Sequence, residues 1–526
     1  MHLKLRKRQL VPLVVALLAL GLGIGATVYH QQTKRAVADY QKQLIASGEK
    51  LTVEELTPTP VPPDQNGASI FFRAMALMNV PQEIFRTNPP SAMTMVAPGR
   101  ARVGWTQPDI RSREATNTWQ DAIATVDDLS PAIALLEELI GRPTIDFNVN
   151  YRFGLSLPLP NLIQTKQAAQ NLYYATLCDL HRGDAGSATR RLRALLAMSQ
   201  SSADERLVIS QLVRMAITAY AVVTTWEFLQ SPSVTDEQLA QIQSDWNRLE
   251  FTLAAENALT MERAMSQMTV EQMRDSSMEF RKMASGFSWP GAGSGATFTG
   301  GSWLLEVEKF GQDTWNSTRL KAKETAWRYS WSYTDQLRSL KGQQVLIETA
   351  RLARTNENFG AALAMQEQRW EALGLPDIAA NDFFGSMPAD MDFRTMLSQG
   401  IRSLTKFLDK VMKIETSRQL TVTAIALQRY KLRHGNYPTD LAALTPEFLP
   451  SRPRDPVDGK PLRYKANTGG TFLLYSVGED REDNGGDPSP ALPGSQGFSW
   501  QRGRDWVWPQ PATSKEIEDF YQHPPN

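Results

Sequence analysis

A short acidic segment near the end of the chain has the residue types best suited to chemistry. Residues 475–487, YSVGEDREDNGGD, contain five carboxylates, one arginine and three glycines, and they directly follow a run of strand-forming residues. Carboxylate and carbonyl oxygens on such a loop can hold a calcium ion, which accepts roughly six to eight oxygens in irregular geometry. Acids and glycines are also typical of a solvated turn. The residue types alone leave both interpretations open.

Other motifs do not indicate catalysis or phosphate binding. The sequence has no G-x-x-x-x-G-K-[ST], H-E-x-x-H or G-x-S-x-G pattern. Histidine chemistry would require His181 or His434, and both occupy predicted helix ends, where a cation suits the helix dipole. The tripeptide RGD lies between two helical patterns, where Gly183 suits a C-cap and Asp184 an N-cap. The sequence favours a non-enzymatic role, although hydrolysis by paired carboxylates stays open.

Composition restricts the chain further. The 526 residues include 56 basic and 56 acidic ones, so the net charge of zero gives no electrostatic reason to expect nucleic acid as a partner. Cys178 is the only cysteine in the sequence, which excludes an internal disulfide and a cysteine-based zinc site. With 42% hydrophobic residues, the chain can bury sizeable cores in two or more domains.

The start of the chain predicts a membrane anchor. A basic leader over residues 1–9 precedes the uncharged stretch Leu10–Val28, which at about 1.5 Å per residue nearly crosses a bilayer. Because basic flanks stay in the cytoplasm, the chain from residue 29 onward would be exported. A cleaved signal peptide is the alternative, but the apolar run is long and lacks a clear cleavage site. We expect a single-pass protein of the bacterial inner membrane, with a cytoplasmic N-terminus and a periplasmic bulk.

Between the anchor and residue 400 the dominant pattern is helical. Residues 29–63 are predicted as a polar stalk that ends in a proline-rich linker. Over 64–400, apolar residues recur at three- and four-residue spacing, which predicts a large exported bundle or a short helical solenoid. A glycine-rich excursion at 285–303 and a break at 374–390 interrupt this pattern. Trp289 and Trp303 lie in the excursion, and Trp315 follows it. The clearest helical segments are 132–140, 171–180, 188–200, 206–230 and 233–250, the last with a capped start at Thr235.

Residues 401–510 differ in kind. A helix over 401–433 is followed by Gly435, which suits a helix end, and two short strands are predicted at 461–465 and 471–477. The turn ANTGG joins them into a β-hairpin. The predicted fold class is therefore mainly α, with a small α+β domain over 401–510 and a tail over 511–526.

The order of helix, extended crossover, hairpin and acidic loop resembles the C-terminal domain of type II secretion system major pseudopilins. In that family a helix ending in Y...NG.YP is followed by LP.DP.G.P..Y, a hairpin, LYS.G.D and an acidic glycine-rich loop. The resemblance covers about residues 424–509. Its matching residues are Tyr430, Gly435, Tyr437, Pro438, Leu449, Pro450, Asp455, Pro456, Gly459, Pro461, Tyr464, Leu474, Tyr475, Ser476, Gly478 and Asp480.

The resemblance implies a chemistry for the acidic loop, because major pseudopilins hold calcium between this loop and an aspartate before the final strand. On this sequence the implied metal ligands are Asp480 and Asp505, with Asp483, Asn484 and Asp487 as further contributors. An EF-hand is excluded, because the twelfth position counted from Asp480 is an alanine and no helices are predicted beside the loop. We expect one structural Ca²⁺ ion, with the solvated turn as the alternative.

The chain also departs from that family. Its apolar segment lacks the glutamate of a pseudopilin, and roughly 370 residues separate it from the C-terminal helix. We therefore do not expect prepilin processing or assembly into a pilus core. The sequence predicts a membrane-anchored extracytoplasmic scaffold or assembly protein, with the membrane and other envelope proteins as partners. The alternatives are an anchored carboxylate-dependent hydrolase and a helical module that binds a peptide or protein.

Overall fold

The protein is described by a computed structural model that covers residues 7–78, 83–111, 116–142, 144–159, 161–284, 321–374, 398, 401–490 and 500–523. Within these ranges the chain is mainly helical, as predicted, with small sheets. The predicted glycine-rich excursion at 285–303, the three tryptophans around it and nearly all of the break at 374–390 lie outside the described residues.

The secondary structure consists of many helices and a few very short strands. The helices are α1 (Lys7–Ala46), α2 (Val53–Leu56), α3 (Ala68–Leu77), α4 (Glu83–Thr87), α5 (Trp119–Asp128), α6 (Ser130–Glu137), α7 (Asn161–Arg182), α8 (Ala185–Ser201), α9 (Val208–Leu229), α10 (Asp236–Asn247), α11 (Thr252–Asp275), α12 (Ser277–Ala284), α13 (Ser332–Asn356), α14 (Phe359–Leu373), α15 (Thr405–His434) and α16 (Ser514–Gln522). The strands are β1 (Thr94–Ala97), β2 (Arg100–Arg102), β3 (Ile110–Arg111), β4 (Thr116–Asn117), β5 (Arg463–Ala466), β6 (Phe472–Ser476), β7 (Trp506–Val507) and β8 (Gln510–Pro511). Shorter turns are Glu138–Gly141, Tyr151–Ser156, Ile401–Leu404 and Leu441–Leu444, which are 3-10 helical, and Trp327–Trp331, which is π-helical.

Side-chain caps explain where several helices begin. The Thr235 hydroxyl accepts a hydrogen bond from the backbone N–H of Gln238, whose side chain accepts one from the N–H of Thr235. This is the capping box that the sequence predicts before α10. Asp184 caps α8 by accepting from the N–H of Ser187 (2.9 Å), and Gly183 has a φ of +79° at the end of α7. The RGD tripeptide is therefore a connection between two helices, as predicted.

Helix α1 is one continuous helix that contains the predicted anchor and about half of the predicted stalk and linker. Its first part exposes large apolar side chains such as Leu20 and Ile24. Its last part packs against α13 through Val37, Leu44 and Leu340. Insertion of the first part into a membrane stays a prediction.

The centre of the molecule is formed by α7, α8 and α9, with α15 packed against α9. Among the helices whose side chains are described over their whole length, which leaves out the start of α1, α9 is the one that is long and apolar enough to cross a membrane. However, 67% of its most apolar 18-residue stretch is buried inside the protein, so α9 is a core helix. One hydrophobic cluster extends from Ala68 to Trp508. The core is therefore continuous across the predicted boundary at residue 400.

The C-terminal strands contain the predicted hairpin. Helix α15 is followed by Gly435, whose φ of +83° ends the helix as expected. Strand β5 pairs antiparallel with β6, within one or two residues of the predicted bounds, and β6 pairs with β7. The crossover before the hairpin is attached to the start of α14, since the N–H of Phe359 donates to the carbonyl of Pro456 (2.9 Å).

Two further sheets are absent from the sequence-based prediction. In one of them, β1 and β2 are antiparallel and β8 joins parallel to β2. In the other, β3 pairs with β4. Residues 514–522, predicted as part of a tail, form α16, where Glu516 accepts from the guanidinium of Arg100 (3.1 Å). These contacts attach the end of the chain to the region around residue 100.

Candidate functional site

The acidic loop lies between β6 and β7, and glycines bring its backbone close to neighbouring chain segments. Gly478 has a φ of +70°, and a Cβ atom there would lie 2.2 Å from the carbonyl oxygen of Arg504. A side chain is therefore excluded at this position. Gly486 has a φ of +83° and lies against Leu473 and Tyr475. These close approaches place the loop directly beside the segment that carries Asp505.

Asp505 closes the loop through backbone hydrogen bonds. Its carboxylate is 0% exposed, and its Oδ2 atom accepts from the N–H groups of Gly486 (2.7 Å) and Asp487 (3.1 Å). Its Oδ1 atom accepts from the N–H of Asn484 (3.4 Å). Burial raises the pKa of Asp505, although these N–H groups stabilise the charged form. The predicted contact between Asp505 and the loop is present, with backbone N–H groups as its partners.

Asp480 belongs to the same loop and is exposed to solvent. Its Oδ1 atom accepts from the N–H of Glu482 (3.0 Å), and its Oδ2 atom accepts from the side-chain amide of Asn484 (3.0 Å). The Asn484 amide also donates to the carbonyl of Glu482 (3.1 Å). Asp480 and Asp505 are thus both bonded to Asn484. Asn484 presents N–H donors to the two acids, whereas a calcium ligand presents oxygen.

The other two predicted ligands are also bonded within the protein. Asp483 accepts from the Tyr475 hydroxyl (2.9 Å) and from the N–H of Gly485 (3.1 Å). Although burial opposes the shift, these bonds and the nearby Arg463 lower the pKa of Asp483. Asp487 accepts from the N–H of Ser489 (3.0 Å), and this residue lowers its pKa. Both groups favour the charged form without a metal.

Arg463 on β5 contacts this site, and the sequence-based prediction missed it. Its guanidinium contacts Asp455 (2.9 Å), Asp458 (2.6 Å) and Asp483 (3.2 Å). Asp455 is fully buried, and it also accepts from the hydroxyl of Ser476 (2.8 Å) and from backbone N–H groups. The signal in the sequence is weak, since an arginine on a hairpin strand is ordinary. Its role depends on the fold, which places three acids around it.

The donor set does not fit a calcium ion as the chain is arranged. Within the described ranges, no group of three or more histidine, cysteine, aspartate or glutamate residues is placed to hold a metal. The carboxylates of the loop face N–H groups and the Arg463 guanidinium, which supply the positive charge that a cation would supply. Calcium binding at Asp480, Asp483, Asn484, Asp487 and Asp505 stays a prediction from the resemblance.

A second concave site lies where the crossover segment before the hairpin faces the helical part of the chain. It is a cleft of about 450 Å³. Prolines at positions 450, 453 and 456 form part of its wall. Its charged lining consists of Arg354, Arg418, Arg452, Arg454, Glu250, Glu357 and Glu415. No periodic pattern in the sequence joins these distant positions.

The acids of this cleft are bonded to neighbours. Glu415 accepts from the Nε of Arg418 (3.0 Å). Glu250 accepts from the backbone N–H of Leu253 (2.6 Å) at the start of α11. Arg454 donates to the carbonyl of Gly459 (2.9 Å) and lies 3.6 Å from Glu357. The cleft therefore presents a mixed-charge surface in which Glu250 and Glu415 are already hydrogen-bonded.

The two histidines considered in the sequence lie outside both sites. The ring of His181 stacks on Trp119 with centroids 4.4 Å apart, and its Nδ1 is 2.8 Å from the carbonyl oxygen of Trp105. His434 lies against Tyr430, with ring centroids 4.2 Å apart, in the last turn of α15. Both residues have packing roles at helix ends, consistent with the interpretation of the sequence.

Comparison of the chain with protein-family models, curated proteins and solved structures gives no match.

Proposed function

We propose that the protein is a membrane-anchored extracytoplasmic scaffold or assembly protein of the bacterial cell envelope. The observation that supports this most is α1, which exposes Leu17, Leu20, Ile24 and Val28 in its first part and is buried against α13 in its last part. Exposed apolar side chains along a helix that carries the 19-residue apolar stretch 10–28 are unfavourable in water and favourable in a bilayer. The rest of the chain would then be held at a fixed position relative to the membrane.

The junction after α1 supports a rigid connection. Glu49 is buried and accepts from Arg263 (2.9 Å), from Gln344 (3.0 Å) and from Arg351. Although burial opposes the shift, these partners lower the pKa of Glu49 to about 2. Arg263 also donates to the carbonyl of Lys50 (3.0 Å). An anchor that is bonded to α11 and α13 in this way suits a scaffold better than a freely tethered domain.

The C-terminal part supplies the second element of the proposal. The order of α15, crossover, hairpin and acidic loop follows the pseudopilin-like pattern in the sequence, and Asp505 bonds to the loop before β7. Extracytoplasmic pseudopilin domains assemble with other envelope proteins, so we propose envelope proteins as partners of this chain as well.

The anchor is tested by fractionation. The double variant Leu17→Arg and Leu20→Arg puts two charges into the apolar stretch, at a cost of about 3 kcal/mol each near a bilayer centre. We expect the variant to leave the alkali-resistant membrane fraction, whereas the parent chain stays there. Leu432→Arg, at an exposed position on α15, is the matched control. Equal distribution of parent and double variant would contradict the anchor.

A second candidate function is binding of a peptide in the cleft at α15, because the cleft is concave, mixed in charge and partly walled by proline. Charge reversal by Arg452→Glu and Arg454→Glu would weaken retention of envelope proteins on the immobilised full-length chain. Arg152→Glu, at an exposed arginine outside the cleft, is the control.

The hydrolase alternative would require two acids free to act, and Glu250 and Glu415 in this cleft are bonded to neighbours.

A further inference from the structure

The end of the protein from which the apolar part of α1 emerges has a distinct surface. Helices α1 and α13 run side by side in the same direction. The hydroxyl oxygens of Tyr29 and Thr334 lie 3.0 Å apart near one end of the paired region, and Glu49, just after α1, accepts from the side-chain amide of Gln344 (3.0 Å) toward the other end. The start of α13 is therefore level with the point where the apolar part of α1 ends.

Aromatic packing is found at the end of the paired region that Tyr29 and Thr334 mark. The ring of His30 packs there against Tyr333, with centroids 4.9 Å apart.

The segments around this end form one packed unit. The π-helical turn Trp327–Trp331 contacts α1 and leads directly into α13. Trp327 is fully buried against Phe280 of α12, with ring centroids 5.4 Å apart. Ser277 of α12 donates to Glu324 (2.5 Å). Helix α12 and the π-helical turn are therefore fixed beside the point where α1 leaves the protein.

This unit exposes large apolar side chains. Tyr329 and Met278 are each 63% exposed. Single exposed apolar residues are ordinary on a protein surface. Here, however, half of the exposed large apolar side chains among the described residues gather at one end: Leu17, Leu20, Ile24, Val28, Tyr29, Met278 and Tyr329.

We propose that the surface formed by Tyr329 and Met278 contacts the outer face of the bilayer that holds α1. This proposal rests on the anchor proposed above. If Leu10–Val28 spans the membrane, Tyr29 lies at the boundary, and the neighbouring π-helical turn reaches the headgroup region, where tyrosine is favoured. The charged residues exposed on these segments include both Arg281 and Asp275. The contact is therefore apolar and interfacial, and it is independent of anionic lipid.

The test uses the full-length chain in lipid nanodiscs with a fluorophore at one introduced cysteine. The variants are Tyr329→Cys, Met278→Cys, Leu20→Cys and the control Leu253→Cys. Leu253 is exposed at the other end of α11, about 33 Å along the helix from its C-terminus. The native Cys178 is buried, which limits its labelling. Nitroxide lipids with shallow or deep labels act as quenchers.

We expect shallow nitroxides to quench the labels at 329 and 278 about twofold more than the label at 253, and deep nitroxides to quench the label at 20. Quenching should be equal in phosphatidylcholine with and without phosphatidylglycerol. If only the label at 20 is quenched, the anchor stands and the surface contact is overturned. If the label at 20 is also unquenched, the anchor itself fails. If the labels at 329 and 278 are shielded from the quenchers only in nanodiscs that hold two copies of the chain, a second copy covers the surface, and the proposal is overturned.

Discussion

Arg463 places one positive charge among three carboxylates, so its removal tests how much that charge contributes to stability. In Arg463→Met, the fully buried Asp455 would lose its ion-pair partner. Removing one partner of a buried pair costs about 3–5 kcal/mol. We expect the free energy of unfolding to fall by about 3 kcal/mol in urea denaturation. Lys465→Met, at an exposed position on the same strand, should change it little, and equal losses in the two variants would contradict the role of Arg463.

Calcium tests the prediction that comes from the resemblance. Because the carboxylates of Asp480, Asp483 and Asp505 already accept hydrogen bonds from the protein, we expect equal melting temperatures in millimolar calcium and in chelator. Differential scanning calorimetry measures this directly. A rise in melting temperature with calcium that is lost in Asp505→Asn would instead support a metal at this loop.

The junction between the hairpin and β7 depends on backbone geometry. Gly478 combines a positive φ with a close approach to the carbonyl of Arg504. Gly470 has a positive φ of +73° in open space, and Gly469 has open space without a positive φ. Alanine should therefore cost little at 469, about 1 kcal/mol at 470 and about 3 kcal/mol at 478. Urea denaturation of the three variants measures this order, and equal losses at 470 and 478 would contradict the close approach.

Local signals explain which elements the sequence predicts. The capping box at Thr235, the helix end at Gly435 and the hairpin β5–β6 each depend on residues close together in the chain, and all are present. The pairing of β2 with β8 joins residues near 100 to residues near 510. No local pattern specifies such a pair, because strands this short carry little periodicity. Arg463 was missed because the fold, and no local pattern, places its three acids around it.

Distant contacts also decide how the whole molecule is held together. The sequence separates a helical region from a C-terminal domain at residue 400, whereas the hydrophobic core continues across that position. Trp226 in α9 donates to the carbonyl of Pro509 (2.9 Å), and Gln243 in α10 donates to that of Phe448 (2.8 Å). Composition and periodicity predict the amount of helix but do not specify these long-range contacts.

Buried acids predict how the stability of the whole chain depends on pH. Burial raises the pKa of four carboxyl groups to about 7, namely those of Asp179, Glu205, Glu227 and Glu262. An acid with a raised pKa binds more protons in the folded than in the unfolded state. Its contribution to stability is therefore present below the ordinary pKa near 4 and is lost as the pH rises through about 7.

Two other acids act in the opposite direction. Hydrogen bonds lower the pKa of Glu49 and Glu516 to about 2, so their contribution is present above the ordinary pKa and is lost as the pH falls toward 2. Both contributions are present together only near pH 4, so these six groups place maximum stability there, with a decline as the pH rises to about 7. Urea denaturation from about pH 3 to about pH 8 measures the optimum, and stability that rises steadily up to about pH 8 would contradict it.

Glu227 separates this effect from other titrations. It is fully buried, and its Oε1 atom accepts from the N–H groups of Met93 (2.6 Å) and Gly104 (2.9 Å). Glu227→Gln keeps an acceptor oxygen for these groups and removes the titration. Between about pH 5 and about pH 8, we expect the free energy of unfolding to fall by about 2–3 kcal/mol less in the variant than in the parent. Glu237→Gln, at an exposed position, should retain the full slope, and a parent-like slope in Glu227→Gln would show that other groups determine it.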